Sequence, residues 1–125
     1  MEKKIILTTT APAPIGPYSQ AVLSGNTLYC SGQIALTPSG ELITDSIEAE
    51  TKQVMHNVGE VLKAAGMGYE NIVKTCIFLT DMGDFAKVNT VYATYFTADF
   101  PARETVQVSA LPKGVHVEIS VVAVK

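Results

Sequence analysis

IEAETKQVMHNVGEVLKAAGMGYENIVKTCIFLT, residues 47–80, carries the two patterns that decide the fold. In its first part Ile47, Thr51, Val54, Met55, Val58, Val61, Leu62 and Ala65 recur at helical spacing with charges on the other side, which predicts an amphipathic helix over 47–65. Asp45 and Glu48 have the spacing of a capping box, Glu48 and Glu50 suit the positive end of the helix dipole, and Gly66 can stop the helix. The pattern then changes. Residues 72–80 are rich in β-branched side chains and predict a strand, within which Cys76, Ile77, Phe78 and Leu79 are apolar at consecutive positions. Both faces of that strand ask for burial.

Upstream, residues 3–8, 21–24 and 27–36 read as strands, the last two joined by a Gly25–Asn26 hairpin turn. Pro12, Pro14, Gly16 and Pro17 exclude a helix between the first two strands, yet the loop ends in Tyr18, an aromatic that implies ordered packing. Downstream, Asp81 or Asp84 caps a second helix with Phe85, Val88, Tyr92, Tyr95 and Phe96 on one face, ending before Pro101. Residues 102–109 and 115–124 form two final strands around the Leu111–Pro112–Lys113–Gly114 turn. The order β-β-β-α-β-α-β-β describes one α+β domain over residues 1–125, a mixed six-stranded sheet with two helices on one face. Val121, Val122, Ala123 and Val124 repeat the consecutive apolar pattern. Two helices cover one face only, so neighbouring copies are expected on the other, in a homo-oligomer.

Composition narrows the function. At 125 residues, 47% hydrophobic and 17% charged, the chain suits a single compact domain that needs no disulfide or metal staple. The net charge is −3 and the nine Lys and Arg residues are scattered, so no basic stripe points to nucleic acid as a partner. Cys30 and Cys76 lie in separate apolar strands and form neither a disulfide framework nor a CxxC motif. The apolar run Ile5–Ile6–Leu7 is too short for a signal peptide or membrane span, which leads us to expect a cytoplasmic protein.

Phosphate-binding glycine loops, HExxH and GxSxG are absent, and His56 and His116 read as surface histidines. No metal ligand set is visible. One constellation remains. Treating the last two strands as a hairpin, side-chain alternation puts Arg103, Thr105 and Gln107 on one face and His116, Glu118 and Ser120 on one face. Arg103, the only arginine, would then lie near Glu118. Two readings stay open: a structural ion pair, to which spacing alone leans, or a guanidinium clamp for a small carboxylate.

Several blocks now line up. Gly16–Pro17–Tyr18–Ser19–Gln20–Ala21, Ser31–Gly32–Gln33–Ile34, Phe78–Leu79–Thr80–Asp81–Met82, Phe85–Ala86–Lys87–Val88–Asn89 and Phe100–Pro101–Ala102–Arg103 occur in this order. Leu111–Pro112–Lys113–Gly114 and Val117–Glu118–Ile119 follow them. Together they resemble the signature blocks of the RidA (YjgF) family over residues 11–124.

The resemblance implies a chorismate-mutase-like fold, a homotrimer with clefts between subunits, and a cofactor-free hydrolytic deamination of 2-imino acids to 2-keto acids. Carried over by motif, Arg103 would hold the substrate carboxylate, Glu118 would position the attacking water, and Tyr18 would close the pocket. Ser31, the N–H of Gly32, Asn89 and the backbone N–H of Thr105 would complete the lining. Glu104 and Thr105 depart from the family's usual small residue or cysteine there. The chemistry needs no metal, because an imine is already electrophilic and one oriented water with a nearby carboxylate suffices. Alternatives within the resemblance are a ribonuclease that inhibits translation, a trimer that binds metabolites without turnover, and a deaminase of 3-aminoacrylate. The acidic charge balance counts against the ribonuclease, and Glu118 against mere binding.

Overall fold

The computed structural model describes residues 2–125. Strands β1 (Lys3–Ile6), β2 (Ala21–Ser24) and β3 (Thr27–Cys30) precede helix α1 (Ile47–Ala64). Strand β4 (Ile72–Leu79), helix α2 (Phe85–Ala93), β5 (Ala102–Gln107) and β6 (Val117–Val124) complete the chain. The six strands form one sheet in the order β1-β2-β3-β6-β4-β5. Only β4 and β5 run parallel, linked through α2. The expected α+β architecture of a mixed six-stranded sheet with two helices is therefore present.

The core lies between sheet and helices. Val54, Met55, Val58, Val61 and Leu62 of α1 join Leu28, Ile77, Leu79, Val117, Ile119, Val121 and Ala123 of the sheet, and Val88 and Tyr92 of α2 enter the same cluster. Both helices thus cover one sheet face. Each fully buried large aliphatic here stabilises the fold by about 1.5–3 kcal/mol relative to exposure. The N-cap of α1 is Ser46 rather than Asp45. Its Oγ accepts the Ala49 N–H at 3.1 Å, and its extended backbone is the geometry a cap needs. The second helix stops at Ala93, so Tyr95 and Phe96 pack from the turn beyond it, against Tyr69 and Tyr92.

The assumed hairpin between the last two strands does not exist. β4 lies between β5 and β6 and pairs with both. Arg103 stands opposite Thr75, and Glu118 opposite Phe78, three residues further along the same strand. Because neighbours in register share a face, Arg103 and Thr105 sit with buried Thr75 and Ile77 on the helix side. Glu118 sits with Phe78 on the opposite, helix-free side. The alternation along each strand is as read from the sequence, but the apolar faces of β5 and β6 point in opposite directions. Arg103 and Glu118 form no ion pair; among the described residues the ion pairs are Lys74–Glu104 and Glu50–His116. The structural-pair reading falls with the hairpin.

The helix-free face keeps its apolar character. Tyr29, Cys76, Phe78, Val106 and Val122 share it by register, with Tyr29 54% and Val106 43% exposed. This is the face the sequence expects another copy to cover.

Candidate functional site

β3 pairs with β6 only from Val122 to Val124, and beyond Cys30 the chain touches β6 again at a single bridge, Gln33 to Ile119. The ladder opens between these points, and the gap is where Ser31, Gly32 and Glu118 meet. A cavity of about 330 Å³ is lined there by Ile15, Tyr18, Ser31, Gly32, Ile34, Pro112 and Glu118. Four of the expected site residues therefore come together: Tyr18, Ser31, Gly32 and Glu118.

Each is held for a visible reason. Glycine at 32 lets the Glu118 carboxylate lie against the backbone there, since a Cβ would run into Oε2 and push the side chain away. Ser31 Oγ donates to the Ser19 carbonyl at 2.6 Å, and Ser31 N–H donates to Gln20 O at 2.9 Å, fastening the β3 exit to the proline loop. Tyr18 is half exposed, and its hydroxyl accepts the Ile15 N–H at 3.3 Å. No hydrogen bond or ion pair within the described residues engages the Glu118 carboxylate. Burial pushes its carboxyl above the ordinary carboxylate range. That moves it toward the pH at which a carboxylate serves as a general base.

Arg103 and Asn89 belong to a second cavity, also of about 330 Å³, lined by Asn89, Tyr92, Ala93, Phe100, Pro101 and Arg103. The guanidinium donates from Nη1 to Asn89 Oδ1 at 2.7 Å and lies 5.2 Å from the Tyr92 ring centroid and 5.6 Å from that of Phe85. Two ring faces and one amide fix its plane while leaving other N–H donors unused. Phe85 and Tyr92 read as helix-core residues in the sequence, and only the crossover through α2 turns them into supports for Arg103. Beyond Gln107, Val108 N–H donates to Leu79 O at 2.8 Å. The alternation of a parallel ladder then directs the N–H groups of Arg103 and Thr105 outward along the free edge of the sheet. Thr105 Oγ1, by contrast, is buried without a partner. The departure at 104 is absorbed on the helix-free face, where Glu104 pairs with Lys74 at 3.0 Å.

The expected site residues thus fall into two groups, with Arg103 and Glu118 on opposite faces of the sheet. One offers a carboxylate, a hydroxyl-bearing ring and a glycine N–H; the other offers a fixed guanidinium and a strand-edge N–H. Cys30 is buried, and burial pushes its thiol up to about 12. Glu50, read as a dipole partner, is fully buried instead and accepts N–H bonds from His116 at 2.6 Å and Val117 at 2.9 Å. No local pattern announces that role, because its partners lie 66 and 67 residues away. Among the described residues no group of His, Cys, Asp or Glu is arranged to hold a metal, and no helix is long and apolar enough to cross a membrane.

Known proteins share this fold. Residues 8–125 match the family model described as Endoribonuclease L-PSP. A mouse protein named 2-iminobutanoate/2-iminopropanoate deaminase is 52% identical over 124 residues, covering 98% of this chain and 92% of its own. The crystal structure of a Yersinia pestis protein of the conserved Rid family superposes with a TM-score of 0.96 at 49% identity, covering 99% of this chain and all of that one. A Thermotoga maritima structure described as a putative endoribonuclease also gives 0.96, at 44% identity, covering 100% of this chain and 98% of its own. The chain belongs to the RidA (YjgF) family, whose model carries the description Endoribonuclease L-PSP.

Proposed function

We propose that this protein hydrolyses reactive 2-imino acids, such as 2-iminopropanoate and 2-iminobutanoate, to 2-keto acids and ammonia. The observation that carries the proposal is the Glu118 carboxylate, half-buried, unpartnered and facing a cavity beside Gly32 N–H and Tyr18. Binding a keto acid needs no such group; activating a water does. The name of the mouse relative supports the same reaction.

In this reaction Arg103 grips the substrate carboxylate with paired N–H donors. Glu118 takes a proton from water as its oxygen adds to the imine carbon, and the C=N π electrons pass to nitrogen. Glu118 returns that proton to nitrogen, and as the C–N bond breaks the hydroxyl proton of the new C–OH passes to the departing nitrogen, leaving ammonia and the keto group. Tyr18 and the Gly32 N–H orient the reacting imine, Ser31 and Asn89 brace the two halves, and the Thr105 N–H meets the carboxylate. No step calls for a cofactor.

Because Arg103 and Glu118 lie on opposite faces, one chain cannot bring them to one substrate. We assign the complete site to the junction of two copies in a homotrimer, in which the helix-free face is covered. The apolar residues on that face support this assembly. Light scattering at micromolar concentration is expected to give three times the chain mass of 13.3 kDa. A monomer mass would remove the composite site. The reaction itself is tested by ammonia release from imines that an amino-acid oxidase generates in situ. Release no faster than without the protein would refute it. The ribonuclease reading finds no support in the charge, which is −3 overall.

A further inference from the structure

The cavity that holds Glu118 has a neighbour. Next to the proline loop lies a narrow cleft of about 30 Å³, lined by Pro12, Ala13 and Leu36 and by the buried Gln20 and Gln33. Ile15, Tyr18, Gly32 and Ile34 line both the cleft and the larger cavity, so they form the wall between them. Three of the four are committed elsewhere. Gly32 has no side chain, Tyr18 serves the reaction proposed above, and Ile34 is 9% exposed and packs with Leu36 and Val115 in a small core of its own.

Ile15 differs from them. It is 60% exposed and belongs to neither hydrophobic core. Its backbone is nevertheless well placed. Pro14 precedes it, Pro17 follows, its N–H donates to the Tyr18 hydroxyl at 3.3 Å, and Tyr18 N–H donates to Gly16 O at 2.8 Å. The backbone that carries the Ile15 side chain is thus held by two prolines and two hydrogen bonds.

We infer that Ile15 is a specificity-determining residue that limits the length of the imine's aliphatic side chain by closing the Glu118 cavity off from the inner cleft. The inference rests on the deaminase reading and adds to it. A void of this size holds about one water-sized group, and shortening Ile15 adds the space of the carbons removed. Together these make room for a branched aliphatic side chain against Pro12, Ala13 and Leu36, while the Gln20 amide beside them is already engaged by Thr8 and Pro12.

The test compares kcat/KM for the imine derived from leucine with that for the imine derived from alanine, in the parent, Ile15→Ala and Ile15→Phe proteins. One methylene in an apolar pocket is commonly worth about 10–200-fold in discrimination. Ile15→Ala is expected to raise the leucine-to-alanine ratio about tenfold or more, and Ile15→Phe to lower it. If the parent is active and neither variant changes the ratio, even though both rates fall together, Ile15 merely supports Tyr18 and the inference is overturned. A parent inactive on both imines would instead refute the deaminase reading itself.

Discussion

Refolding Arg103→Ala chains together with an equal amount of Glu118→Gln chains, each inactive alone, should recover about a quarter of the parental imine hydrolysis. Each site in the proposed trimer draws its carboxylate half from one copy and its guanidinium half from the next. A site is whole only when an Arg103→Ala chain supplies Glu118 and a Glu118→Gln chain supplies Arg103. Random assembly meets each condition half of the time, hence about a quarter overall. Were both groups to serve a site within one chain, mixing would restore nothing.

The single variants set the scale of that recovery. Glu118→Gln keeps the size of the side chain but cannot take the water's proton, and loss of one positioned acid–base group commonly costs about 10²–10⁴-fold. It should still bind pyruvate nearly as well as the parent. Arg103→Lys keeps a charge but loses the planar fork held between Asn89, Tyr92 and Phe85, so turnover and pyruvate binding should fall together. Because burial raises the Glu118 carboxyl, the parent's kcat/KM should decline on acidification at a pH above the ordinary carboxylate range. Normal turnover in both variants would leave the deaminase assignment with no residues to carry it.

The second large effect concerns stability. Glu50→Ala should destabilise the fold by about 3–5 kcal/mol, the usual cost of removing one side of a buried, charge-assisted network. The buried carboxylate accepts the His116 and Val117 N–H groups and meets His116 Nδ1 at 2.8 Å. Those two peptide groups lie at the start of β6, beyond its Gln33–Ile119 bridge to the β3 exit. The α1 carboxylate thus anchors the start of β6, one residue before Glu118. Thermal melts at equal protein concentration measure the loss, and a shift of only a degree or two would make Glu50 dispensable.

A smaller pH effect follows from the same contact. Glu50 raises the His116 pKa above its usual value by hydrogen bonding and by charge. The stabilisation is therefore complete below about pH 6.5 and is lost as pH rises through the higher folded value. The His116 side chain is 52% exposed, so solvent keeps this part small.

How far the sequence could be read depends on the range over which each interaction acts. The α1 pattern from Ile47 onward and the alternation in β6 are local, and both stand. Strand adjacency is not local. Leu111–Pro112–Lys113–Gly114 is short enough to suggest that β5 and β6 form a hairpin, but α2 returns the chain to the outer side of β4, and β6 inserts between β3 and β4. That one exchange moves Arg103 away from Glu118. Tyr18, Ser31, Gly32 and Glu118 could be grouped by their resemblance to family motifs, whereas the closeness of Gly32 to Oε2 is visible only in three dimensions. Glu50 escaped because a buried acid and a solvated one look alike in a helix sequence.

The uncovered side of the sheet also bears on how the protein ages. In the proposed trimer, a chain parted from its neighbours would carry Tyr29 and Val106 in water, along with the unpaired outer rim of β5. An exposed strand rim recruits foreign strands. Loss of activity on heating should therefore begin with separation of the copies and end in irreversible clumping. Its half-life should then lengthen as the protein is concentrated, until clumping itself overtakes the rejoining of subunits.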